Sequence, residues 1–183
     1  MNKKIILCDA DDVIERFCDA WIEYLNNKYG SHVLIEDIVS WDISRAFPEL
    51  TTDEIFAPTY EKSFWARVEA VSGCYDILKR INEIHELYIV TASNYQSCDA
   101  KIEKILELYP FLNWEQFVIA SKKQLIFGDY LIDDGVHNLI GGHYTGILYD
   151  RPHNRAFNNK DFGITRVHSW TEIGNILLKK GGI

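Results

Sequence analysis

The feature that most constrains this chain is its first apolar run. Lys4 to Cys8 is apolar apart from the lysine, shows no alternation, and stops abruptly at Asp9-Ala10-Asp11-Asp12. A short unbroken apolar run reads as a strand buried on both faces, as in a parallel sheet covered by helices. The acidic cluster then falls at the strand's carboxyl end, the edge where open α/β sheets bind ligands.

From about residue 15 to Tyr29 the pattern turns helical. Phe17, Trp21, Tyr24, Leu25 and Lys28 recur at spacings of three and four, and Gly30 follows as a stop. Thr51-Thr52-Asp53-Glu54 has the character of a helix start. Residues 15–72 are expected to be mostly helical, with no convincing strand. After Gly73 the rhythm changes. Tyr75–Glu83 is an amphipathic helix and Leu87–Val90 an apolar run ending at Thr91. Lys101–Leu108 is a helix closed by Pro110, and Phe117–Ala120 is a short strand. Leu125–Phe127 and Tyr130–Ile132 are strand-like, the second ending at Asp133-Asp134. Thr145–Tyr149 is a strand, and Trp170–Lys179 a terminal helix. This alternation implies an α/β fold with a mainly parallel sheet flanked by helices. Residues 1–14 and 73–183 would form the core, and residues 15–72 an insertion after the first strand.

Composition narrows the function. The 183 residues suit one domain, or a core with a small insert. With 47% hydrophobic and 25% charged residues, a disordered chain is excluded. Nineteen basic against 27 acidic residues give a net charge of −8, which argues against a generic duplex-binding protein. No stretch approaches the ~20 apolar residues needed to span a bilayer, and the initial apolar run is too short for a secretory signal. A cytoplasmic location is therefore expected. Cys8, Cys18, Cys74 and Cys98 show no C-x-x-C pair and read as buried thiols. The six histidines show no zinc spacing and read as structural or surface residues.

Four polar features follow apolar runs: Asp9/Asp11, Thr91, Lys123 and Asp133/Asp134. Strand ends of one parallel sheet converge on one edge, so these distant residues can meet. Crowded carboxylates repel unless a positive group joins them. A set of Asp oxygens suits a hard cation such as Mg²⁺, which commonly completes its shell with waters and a substrate phosphate. The lysine and threonine add donors for phosphate oxygens. The parts read as a magnesium-assisted phosphoryl-transfer site.

Taken in order, Asp9-Ala10-Asp11-Asp12-Val13, Thr91, Lys123 and Leu131-Ile132-Asp133-Asp134 resemble the four motifs of the haloacid dehalogenase superfamily. The closer resemblance is to its 5′(3′)-deoxyribonucleotidase family. It rests on the spacing from Lys123 to Asp134, on Phe17 and Trp41, on Gly73 before a helix, and on the segments Gly146–Arg155 and Arg166–Trp170. The resemblance implies a HAD-like Rossmannoid core with a small helical cap inserted after the first strand. It implies Mg²⁺-dependent hydrolysis of deoxyribonucleoside monophosphates through an aspartyl-phosphate. By it, Asp9 is the nucleophile and Asp11 the general acid, then base. Mg²⁺ would be held by the Asp9 carboxylate, the Asp11 main-chain carbonyl and Asp134. Thr91, Ser93 and Lys123 would bind phosphate, and Asp133 would support the site from behind. Phe17, Trp41 and Tyr60 would contact the nucleoside. The sequence departs from the family at Asp12, where glycine is frequent.

The implied partner is thus a small nucleotide, with no polymeric nucleic acid and no membrane; a homodimer is left open. Two other readings stand beside it. One keeps the phosphatase chemistry on another small phosphate ester, because the insert decides the substrate. The other is a non-catalytic phospho-acceptor or nucleotide-binding protein. The acidic pair after Lys123 and the long insert speak against a receiver-type phospho-acceptor.

Overall fold

The computed structural model describes residues 2–178. Among these residues six parallel strands form one sheet: β1 (Ile5–Cys8), β2 (Glu86–Thr91), β3 (Phe117–Ile119), β4 (Phe127–Asp133), β5 (His143–Tyr149) and β6 (Thr165–Val167). Their spatial order is β3-β2-β1-β4-β5-β6, so the first strand lies near the middle with β2 and β4 as neighbours. Among the described residues the α-helices are α1 (Phe17–Tyr29), α2 (Thr52–Phe56), α3 (Lys62–Trp65), α4 (Cys74–Ile84), α5 (Cys98–Leu108), α6 (Val136–Leu139) and α7 (Trp170–Leu177).

The unbroken apolar character of β1 is explained by cover on both faces. Ile6 and Cys8 pack in one core with Ile89, Ile132 and Ile147, under Leu78 and Ile81 of α4 and Trp170 and Ile173 of α7. Leu7 points the other way, into a second core with Val90, Leu131, Leu148 and Leu139 of α6. Between β1 and α4 the chain forms a helical segment with its own apolar cluster. Trp21 and Leu25 of α1 pack there with Ile43, Phe47, Ile55, Phe64 and Trp65. The chain leaves and returns through one narrow neck, where Arg16 N–H donates to Glu69 O and Val71 N–H donates to Ile14 O, both at 2.8 Å.

Most expected elements are present, with shifted ends. Gly30 closes α1 in the left-handed conformation, φ 70°. The two expected strand pieces at 125–132 are instead one strand, β4, with a register shift against β5 between Phe127 and Tyr130. Leu125 belongs to a 3₁₀ turn over Lys123–Leu125. The short edge strand β6 was not expected; its three residues are too few to show periodicity. Helix α7 is described to Leu177, and Lys179, expected in it, lies outside the described residues. Among the described residues no helix is long and apolar enough to cross a membrane.

Candidate active site

The central strands bring the motif residues together. Thr91 is the last residue of β2 and Asp133 the last of β4, while Asp9 directly follows β1 and donates its N–H to Ile132 O at 2.9 Å. Asp9, Thr91, Lys123, Asp133 and Asp134 are all buried. Their mutual contacts separate their roles. The Lys123 ammonium lies 2.6 Å from Asp9 Oδ1 and 2.7 Å from Asp133 Oδ2. Lys122, its neighbour, is exposed. Asp133 is fully committed: Oδ1 accepts from Gly135 N at 2.7 Å and Asn138 Nδ2 at 3.0 Å, and Oδ2 from Lys123. Gly135 permits this close approach, since a Cβ there would lie 3.0 Å from Asp133 Oδ1 and 2.9 Å from Asn138 Nδ2.

Asp134 is different. Its Oδ1 is buried with no hydrogen-bond partner among the described residues. One carboxylate oxygen each from Asp9, Asp133 and Asp134 lie within 4.8 Å of one another. Burial pushes the Asp9 carboxyl up to about 7, against the pull of Lys123. Burial likewise pushes Asp134 well above the carboxylate range, and the neighbouring Asp9 adds to the rise. Unpartnered acidic oxygens at this density are what a hard divalent cation relieves. The donor set therefore fits Mg²⁺ on Asp9 and Asp134, and Asp133, with its oxygens already bonded, fits a supporting position.

Asp11 stands at the mouth, partly exposed, with Oδ2 2.7 Å from Lys101 Nζ. The loop that carries it is pinned by three remote donors acting on successive carbonyls. Arg151 donates to Asp12 O, Trp170 Nε1 to Val13 O at 2.8 Å, and the Tyr109 hydroxyl to Ile14 O. Asp12 has φ 58°, the left-handed region that favours glycine. It is held there by its Oδ1, which accepts from Cys18 N at 3.0 Å, as well as by Arg151. The loop therefore takes the shape a glycine would give it, with an aspartate in place.

Beside these groups opens a cavity of about 650 Å³, a size suited to a small molecule. Phe17, Trp41, Tyr60 and Ser93 all line it, as do Asp11 and Asp134. Phe17 stacks on Trp65 with ring centroids 5.4 Å apart. Trp41 meets the core edge-on against His137 and His153, at 4.6 and 5.3 Å. Ser93 bonds locally, to Asn94 O at 3.3 Å.

Sequence reasoning missed Lys101, His153, Arg151 and Glu15. His153 was read as structural or surface, yet it lines the cavity and its Nε2 lies 3.2 Å from Asp134 O. A carbonyl only accepts, so Nε2 carries the hydrogen. Lys101 is 2% exposed although it stands on an amphipathic helix, where a lysine ordinarily reads as a solvated charge. Glu15 is fully buried with its carboxyl beside Asp11, and neither of its oxygens has a hydrogen-bond donor among the described residues. Only its neighbourhood to Asp11 in sequence could have pointed to it.

Comparison with known proteins agrees with this geometry. Solved structures of haloacid dehalogenase-like hydrolases share the fold. One from Streptococcus pneumoniae superposes with a TM-score of 0.65 at 14% identity, covering 95% of this chain and 98% of that one. A HAD-hydrolase from Bacillus subtilis, solved bound to magnesium, gives 0.62 at 15% identity, covering 97% and 99%. The fold is thus that of a HAD-type hydrolase.

The particular family follows from sequence. The profile described as "5' nucleotidase, deoxy (Pyrimidine), cytosolic type C protein" matches residues 3–181, and the chain belongs to that family. A 5'(3')-deoxyribonucleotidase of Bacillus subtilis (strain 168) is 32% identical over 178 residues, covering 96% of this chain and 99% of the relative. One from Clostridium acetobutylicum is 28% identical over 172 residues, covering 94% and 93%. The chain is a phosphoric monoester hydrolase of the 5′-nucleotidase type.

Proposed function

We propose that the protein hydrolyses deoxyribonucleoside monophosphates to nucleoside and phosphate, with Asp9 as nucleophile and Mg²⁺ as cofactor. The observation that carries this reading is the junction of an acidic, Lys123-neutralised strand edge with an aromatic cavity of nucleotide size. Residues 15–72 act as the cap that supplies the aromatic wall.

Asp9 attacks phosphorus through a carboxylate oxygen. The bond from phosphorus to the ester oxygen breaks, and that oxygen takes a proton from Asp11 as it leaves. Covalent catalysis splits one hard displacement into two easier ones. Water then attacks the aspartyl-phosphate at phosphorus while Asp11 takes its proton, and Asp9 is released with inorganic phosphate. Lys123 is bonded to Asp9 Oδ1, so Oδ2 is the oxygen left for attack. Thr91 and Lys123 hold the phosphoryl oxygens, with Ser93 at the rim. Phe17, Trp41 and Tyr60 hold the nucleoside. Mg²⁺, on Asp9, Asp134 and the Asp11 carbonyl, would neutralise charge as it builds on the phosphoryl oxygens.

The test is phosphate release from a panel of dUMP, dTMP, deoxynucleoside 3′-monophosphates and sugar phosphates, with and without EDTA. Metal-dependent turnover preferring the nucleotides is expected, and is abolished in Asp9→Asn. A sugar phosphate preferred over every nucleotide, or full activity in Asp9→Asn, would contradict the reading.

A further inference from the structure

Lys101 is buried in a place where the fold does not need a charge. It extends from α5 towards the cavity, 2% exposed, with its ammonium 5.9 Å from the centre of the Phe17 ring and 5.8 Å from that of Trp65. A methionine or leucine would pack against those rings without the desolvation cost of an ammonium, and a buried ion pair is weak evidence for stability. What the ammonium contacts is more informative. It lies 2.7 Å from Asp11 Oδ2 and 2.7 Å from Thr91 Oγ1. Those residues stand on two different strand ends, 80 positions apart in sequence, and Lys101 is the group that joins them.

The direction of these bonds follows from chemistry. An ammonium has three donors and no acceptor. Thr91 Oγ1 must therefore accept from Lys101, so the threonine's own hydrogen is free to donate elsewhere. Asp11 Oδ2 must also accept. Asp11 Oδ1 is buried with no hydrogen-bond donor among the described residues, beside the buried Glu15 carboxyl, so Oδ2 is the oxygen on the open side. We propose that Lys101 is a positioning residue for the reaction: it fixes the Asp11 carboxylate at the cavity mouth through Oδ2, and it turns the Thr91 hydroxyl hydrogen towards the phosphoryl oxygens. This rests on the roles given above to Asp11 and Thr91.

A positioning residue that works through Asp11 has a signature that a substrate contact or a packing residue lacks. Its removal lowers kcat with little change in KM, and the loss disappears once Asp11 is already disabled, because groups in one network are not additive. The experiment measures kcat and KM on dTMP for Lys101→Met, Lys101→Arg, Asp11→Asn and the double variant Asp11→Asn/Lys101→Met. Lys101→Met is expected to lower kcat by about 10²-fold, at the low end of what general acid–base catalysis supplies. KM should stay within about threefold, and the double variant should be no slower than Asp11→Asn alone. Lys101→Arg, which keeps charge and donors, should recover part of the rate. If Lys101→Met does not fold, Lys101→Gln, a neutral donor, takes its place in the same cycle. Losses that multiply in the double variant, or a raised KM with kcat unchanged, would overturn the proposal. Wild-type turnover by Asp11→Asn would instead overturn the role of Asp11 itself, a distinguishable result.

Discussion

The ammonium of Lys123 lies 2.6 Å from Asp9 Oδ1, in a site where both side chains are almost completely removed from water. Asp133 holds the other side of the same ammonium at 2.7 Å, so one cation is shared by two carboxylates. Removing one partner of a buried ion pair strands the remaining charge, typically at a cost of about 3–5 kcal/mol. Lys123→Met should therefore melt well below the wild type in the metal-free state and lose about 10²-fold or more in kcat, as expected when a donor at a charge-developing centre is lost. Calorimetry and steady-state kinetics check this. Unchanged stability and activity would place Lys123 outside the site.

Metal binding should depend on pH in a defined direction. Burial pushes Asp9 up to about 7 from its ordinary 3.8, and Asp134 is raised well above the same value. The metal-free fold thus holds protons that an unfolded chain would release. As far as Asp9 is concerned, its stability is greatest below about pH 4, and this contribution is lost as pH rises through about 7; Asp134 acts in the same direction. Mg²⁺ needs the ionised carboxylates, so its binding should release protons and tighten between pH 6 and 8. Titration calorimetry in two buffers of different ionisation enthalpy measures the protons. Binding with no proton release and no pH dependence would contradict the prediction.

Asp12 offers a test of backbone strain. A non-glycine residue in the left-handed region costs of order 1–3 kcal/mol, and Asp12 sits at φ 58°. Asp12→Gly removes that strain but gives up the bond from Cys18 N. A net change within about 1 kcal/mol is expected, with kcat kept within a few-fold, because Arg151 still grips the carbonyl of residue 12. A loss of activity beyond 10²-fold would show that the Asp12 carboxylate itself takes part in the chemistry.

Trp41 is the aromatic best suited to probing the substrate wall. It is 57% exposed, so its removal should cost little stability, yet its ring meets His137 and His153 at the cavity rim. Trp41→Ala should raise KM for dTMP about fivefold with kcat changed less, in keeping with about 1 kcal/mol for an aromatic contact. Unchanged KM would remove Trp41 from the nucleoside site. Phe17→Ala is less clean, because Phe17 stacks on Trp65 and its loss also loosens the helical segment.

Much of this fold could be read in the sequence because buried parallel strands advertise themselves. The run through Ile6, Leu7 and Cys8 is apolar on both faces because cores lie on both sides. The acidic residues of the site were visible because they interrupt such runs at strand ends, and Lys123 because it follows one and lies in the turn before β4. What stayed hidden has a common cause. Lys101, Arg151 and His153 come from helix or loop positions where charged and polar residues are ordinarily solvated, and only three-dimensional packing turns them inward. The β6 strand was too short to show a period, and the register shift in β4 split one strand into two apparent pieces.

The most direct test of the account is to identify the group that receives the phosphoryl. Enzyme mixed with Mg²⁺ and dTMP, quenched in acid during turnover and digested, should yield one phosphorylated peptide, and tandem mass spectrometry should place the adduct on Asp9. An adduct on another residue, or turnover with no adduct in a quench shown to preserve acyl phosphates, would contradict it.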